Sequence, residues 1–215
     1  MVSSSIPKEG KTTISSGLSK ILSIASQKVL VMDLDMRKPR LYQEFDLKND
    51  IGMSDVLVER CSIDEVITPI NDHLDFFPAG PVAPNPAEPL ISHKFRMLMG
   101  TLMDKYEYIV IDTSPIGLIS VANTLLEYID LMLLVIRANY TEKGLIKEFS
   151  KMIEEKNIQS VGLILNGATQ EKRSGYTQTI ISSKYIIING SGNPHKIYPK
   201  ILIKLTKCTK QSISA

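Results

Sequence analysis

The chain has 215 residues, 43% of them hydrophobic and 22% charged, which allows one substantial core and leaves little length for a second domain. Its 25 basic and 23 acidic residues leave a formal charge of +2, so the overall charge gives no footing for nucleic acid, and none is expected as a partner. Cys61 and Cys208 lie far apart, the three histidines are scattered, and the longest apolar stretches are broken by Glu127, Asp130 and Arg137; a reducing cytoplasm and no membrane span are expected.

In chain order, Met1 to Ser3 is short for a strand, and the segment from Ser3 reads SSSIPKEGKTT. Gly10, Lys11 and Thr12 fall between that strand and a helix whose apolar positions are Ile14, Leu18, Ile21, Leu22 and Ala25. Such a junction suits phosphate: backbone N–H groups curl around its oxygens, a lysine reaches the outer phosphates, and a hydroxyl meets Mg²⁺. The strict pattern has glycine where this chain has Ser5, so a plain surface turn is the competing reading until the flanking strand and helix are counted.

The run from Lys28 to Asp33 (KVLVMD) reads as a buried strand, continued by Asp35, Met36 and Arg37. Carboxylates two apart in extended chain share a side, so Asp33 and Asp35 are expected to flank one ion. A strand from Leu74 to Pro78 and a helix within 86–106 lead to Tyr108–Asp112 (YIVID), whose terminal carboxylate has the Walker B position. A helix over 121–128, a strand over 131–137, an amphipathic helix carrying Leu145, Phe149, Met152 and Ile153, and a strand over 161–166 complete the pattern. Near-continuous apolar strands alternating with amphipathic helices predict an α/β, doubly wound, mostly parallel sheet with helices on both faces, the three-layer architecture of P-loop NTPases. Residues 1–168 are read as this domain, its first strand incomplete. Residues 169–215 are read as a poorly ordered tail containing Tyr176, Tyr185 and Tyr198.

The segments VLVMDLDMRKPR, FFPAGPVAPNPAEPL and YIVIDTSPIGLIS together resemble the bacterial protein-tyrosine kinases of capsule and exopolysaccharide assembly, from about Ser3 to about Gly167. The resemblance implies an ATP- and Mg²⁺-dependent kinase. Pro7, Lys8, Glu9, Gly10, Lys11, Thr12 and Thr13 would form its nucleotide loop, Arg37 would complete the Walker A-prime motif, and Asn166 takes the adenine-contact position of related folds. Thr12, Asp33, Asp35 and Asp112 would surround the metal; Lys11 and the three aspartates would carry catalysis, with the base left open between Asp33 and Asp35. Tyr176, Tyr185 and Tyr198 would accept phosphate from other copies of the chain.

The resemblance also implies a place at the inner face of the cell membrane, through a transmembrane polysaccharide copolymerase or activator, or through a fused membrane segment. Two features depart from the family. Lys8 stands where the loop usually has glycine, which is expected to oppose a conformation that glycine adopts easily. The family's assembly helix precedes the loop and has no counterpart in this sequence, so a non-catalytic nucleotide-binding remnant is the alternative expectation. A partitioning-type ATPase is disfavoured because Ile6 stands where those proteins carry a signature lysine.

Overall fold

The structure, a computed structural model, describes residues 1–25, 28–82, 85, 88–115, 125–156, 158, 160–168 and 185–189. Eight strands form one sheet: β1 (Val2–Ser4), β2 (Val29–Asp33), β3 (Thr68–Asn71), β4 (Leu74–Phe77), β5 (Tyr108–Asp112), β6 (Met132–Arg137), β7 (Ser160–Asn166) and β8 (Tyr185–Asn189), in the order β3-β4-β2-β5-β1-β6-β7-β8. The six inner strands pair in parallel, while β3 and β8 run antiparallel at the two edges. The doubly wound architecture is as expected. Three residues suffice for β1 because it lies mid-sheet, Val2 pairing with Asp112 on one side and Leu133 on the other.

Alternation along the buried strands divides the core. Leu30, Met32, Phe77 and Ile111 pack on one face with Phe95, Leu98, Met99 and Leu102 of α4 (His93–Lys105). Val29, Val31, Phe76 and Val110 point to the other face, against Ile14, Leu18 and Leu22 of α1 (Lys11–Ile24). The most buried face of α1 is not apolar, however: it consists of Ser15, Ser16, Ser19 and Ser23. Small side chains let the helix lie close to the sheet, and the Ser19 and Ser23 hydroxyls return to the carbonyls of Ser16 and Lys20, so their burial leaves no orphaned donor.

Short helices α2 (Met53–Leu57) and α3 (Ile63–Val66) fill the connection from β2 to β3, and the amphipathic α5 (Lys143–Glu155) buries Phe149 beside β6 and β7. Of the helix expected over 121–128, residues 121–124 lie outside the described residues; Leu125 and Leu126 are helical, and Glu127 and Tyr128 form a turn. The tail, read from composition as unstructured, supplies β8, with Tyr185 opposite Ile164. Because the inner strands are parallel, Ser4, Asp33, Asp112, Arg137 and Asn166 all end at one edge, with Asp33 level with Asp112 and Arg137 level with Asn166. Ligands of open α/β sheets bind at that edge.

Candidate functional site

The segment between β1 and α1 turns back over this edge. Gly10, at φ 98, enters α1, and a Cβ built on it would lie 2.2 Å from Asn166 Nδ2, so both backbone angle and space require glycine. Lys8 adopts φ 69, the left-handed conformation that its side chain was expected to oppose. The next residue, Glu9, is fully buried. Its carboxylate accepts hydrogen bonds from the Ser5 and Ile6 amides at 2.7 and 2.9 Å, from the Ser5 hydroxyl and from Thr141 Oγ1. Glu9 is therefore an internal brace of the loop.

The first turn of α1 supplies the polar centre. Lys11 Nζ lies 3.1 Å from Asp35 Oδ2 and 3.4 Å from Asp112 Oδ2, and Thr12 Oγ1 donates to Asp112 Oδ2 at 2.8 Å. Ser15, one turn on, donates to Asp112 Oδ1 at 3.0 Å. Asp35 also accepts from Ser114 Oγ at 2.6 Å and from the Lys38 amide. Burial acts to depress the Lys11 pKa, but the combined attraction of Asp112 and Asp35 outweighs it and holds the ammonium above its ordinary value. Burial pushes the Asp112 carboxyl up, opposed by Lys11, Thr12 and Ser15.

Asp33 differs from expectation. Rather than standing beside Asp35 toward a shared ion, it spends Oδ1 on the Asp35 amide and Oδ2 on the amides of Arg40 and Leu41. An acceptor at the end of β2 surrounded by turning backbone is captured by that backbone, and Asp33 thereby fixes the loop that presents Asp35. Burial, reinforced by the nearby Asp112 charge, raises its pKa to about 7.

The donor set suits a small hard cation. A hydroxyl and a carboxylate oxygen meet at Thr12 and Asp112, and Asp35 is close by. Among the described residues, no three His, Cys, Asp or Glu side chains converge to hold an ion by themselves.

The remaining expected residues are less central. Thr13 is exposed and donates to Glu44, Arg37 is exposed, and Pro7 lies on the outer side of the loop. Asn166 Nδ2 donates to the Glu9 carbonyl at 2.9 Å, which ties it to the loop. Tyr176 and Tyr198 lie outside the described residues. The sequence reading missed Ser15, Ser114, Arg137, Tyr140 and Thr141. Ser15 was open to inference, being one helical turn beyond Lys11; the others carry no local signal.

The AAA domain family profile matches residues 8–161. The tyrosine-protein kinase YwqD of Bacillus subtilis is 33% identical over 177 residues, spanning 82% of this chain and 75% of that protein. The tyrosine-protein kinase etk of Escherichia coli is 28% identical over 178 residues, and there the match spans only 24% of the relative. The solved kinase domain of Escherichia coli ETK superposes with a TM-score of 0.72 at 28% identity, covering 82% of this chain and 71% of that one. More distantly, the septum site-determining protein MinD of Pyrococcus horikoshii, complexed with Mg-ADP, gives a TM-score of 0.62 at 25% identity, covering 76% and 68%.

Proposed function

The chain belongs to the AAA-domain family of bacterial tyrosine-protein kinases, and we propose that it moves the γ-phosphoryl group of ATP to tyrosines of other copies of itself, in the control of capsular or exopolysaccharide polymerisation and export. The observation that carries the reading is the convergence of Lys11, Thr12, Asp35 and Asp112 at the carboxyl edge of the sheet, beside a helix N-terminus. Phosphoryl transfer requires little covalent participation by the protein; it needs alignment and neutralised charge.

The loop amides and the α1 N-terminus hold the β-phosphate. Lys11 leaves the carboxylates that bind it here and follows the outer phosphates into the transition state. Thr12 and Asp112 would hold Mg²⁺, which would supply neutralisation of phosphate charge. The incoming phenol oxygen attacks the γ-phosphorus, the bond to the β-phosphate bridging oxygen breaks, and Asp35 takes the phenolic proton. Asp35 suits this task better than Asp33, because its Oδ2 is freed when Lys11 leaves, whereas both Asp33 oxygens are engaged by backbone.

Tyr176, Tyr185 and Tyr198 are the proposed acceptors; Tyr185 must leave the β7–β8 ladder to reach another copy. No described helix is long and apolar enough to cross a membrane, and we place the protein at the inner membrane face through a transmembrane polysaccharide copolymerase or activator. Incubation with γ-labelled ATP and Mg²⁺ should label tyrosine in the parent chain and not in Lys11→Ala. Equal labelling of the two would contradict the assignment.

A further inference from the structure

Three consecutive carbonyls of the nucleotide loop are held from outside by side chains at the ends of β6 and β7. Tyr140 Oη donates to the Pro7 carbonyl at 3.2 Å, an Arg137 guanidinium nitrogen donates to Lys8 at 3.2 Å, and Asn166 Nδ2 donates to Glu9 at 2.9 Å. Arg137 also stacks on Tyr140, its guanidinium carbon 5.5 Å from the ring centre. Thr141 holds the Glu9 carboxylate, and its hydroxyl accepts from the Arg137 amide at 2.8 Å. These donors lie about 130 to 160 residues from the loop in sequence and share no motif with it.

In a trans peptide, the carbonyl of one residue and the amide N–H of the next point in opposite directions, and the described residues include no cis peptide. Drawing the carbonyls of Pro7, Lys8 and Glu9 toward β6 and β7 therefore turns the N–H groups of Lys8, Glu9 and Gly10 the other way, into the loop. Phosphate is held by such inward amides. We propose that Arg137, Tyr140 and Asn166 are positioning residues of the kinase, a clamp that sets the loop amides for the nucleotide phosphates; the proposal rests on the site reading above.

The clamp also accounts for Lys8. A side chain at φ 69 persists only where the surrounding structure fixes it, and the Lys8 carbonyl is one of the three atoms held. Loss of a clamp donor should let Lys8 relax and turn its peptide away. Glycine at that position has no such conformation to escape and should keep the loop shaped without the full clamp.

The test is ADP affinity, measured by calorimetry for Tyr140→Phe and Arg137→Met, each alone and combined with Lys8→Gly. Tyr140 is 43% exposed and Arg137 lies on the surface, so both variants should melt like the parent. Each should weaken ADP binding by about fivefold with Lys8 present, roughly the value of one hydrogen bond, and clearly less in the Lys8→Gly background. A loss of equal size in both backgrounds would mean that Arg137 and Tyr140 touch the nucleotide directly, and would overturn the clamp, as would no loss at all. Phosphotyrosine is scored separately in the parent: ADP binding with the predicted coupling but no phosphotyrosine upholds the clamp and refutes the transfer reading.

Discussion

Asp33 and Asp112 stand level on neighbouring strands, yet their surroundings assign them different work. Asp33 satisfies three backbone N–H groups, whereas Asp112 binds the Lys11, Thr12 and Ser15 side chains. Asp33→Ala should leave the buried Asp35 and Leu41 amides unpaired, at about 1–3 kcal/mol each, and lower the melting temperature markedly. Asp112→Asn should instead remove most of the gain in nucleotide affinity that Mg²⁺ confers. Melting curves and ADP titrations with and without Mg²⁺ separate the two; an Asp33→Ala protein as stable as the parent would show that the loop does not depend on this carboxylate. Lys11, Thr12, Asp35 and Asp112 were legible in the sequence because each sits at a fixed offset from a strand or helix end. The role of Asp33 was not, since its partners are backbone groups of a turn with no side-chain signature. Arg137, Tyr140 and Thr141 were not either, because only the pairing of β6 with β1 brings them over the loop.

At the scale of elements, the apolar runs announced β2, β4, β5, β6 and β7, and the helical periods announced α1 and α5. β3 was hidden: Thr68–Asn71 contains a proline and is half exposed, as an edge strand permits. α2 and α3 were hidden because five and four residues are too few to display a period. What holds α2 in place is a close backbone approach. The amides of Met53 and Ser54 donate to the carbonyls of Pro78 and Ala79, and a Cβ on Gly52 would lie 2.0 Å from the Gly80 nitrogen. Gly52→Ala should force α2 off the end of β4 at a cost of about 1–3 kcal/mol, seen as a fall of several degrees in melting temperature. An unchanged melting temperature would mean that this contact is looser than the structure has it.

Across the whole molecule, the site is built from β1, β2, β5, β6 and β7, and β8 contributes only an edge. A chain ending at Ala168 should therefore keep its ADP affinity within about twofold, since none of the residues holding the loop or the carboxylate centre is removed. It should aggregate more readily, because the unpaired edge of β7 is then open to other chains. Light scattering and calorimetry on the shortened chain check both statements; loss of ADP binding would show that β8 supports the site. Transfer between copies requires a tail to meet a neighbour's edge, so the rate should rise with protein concentration. The most direct test mixes the parent chain with a tagged Lys11→Ala copy, ATP and Mg²⁺, and maps phosphotyrosine on the tagged copy by mass spectrometry. Transfer between copies predicts phosphate on Tyr176, Tyr185 or Tyr198 of the Lys11→Ala copy, and none when that copy is incubated alone. Bound ATP with no phosphotyrosine on either copy would contradict it.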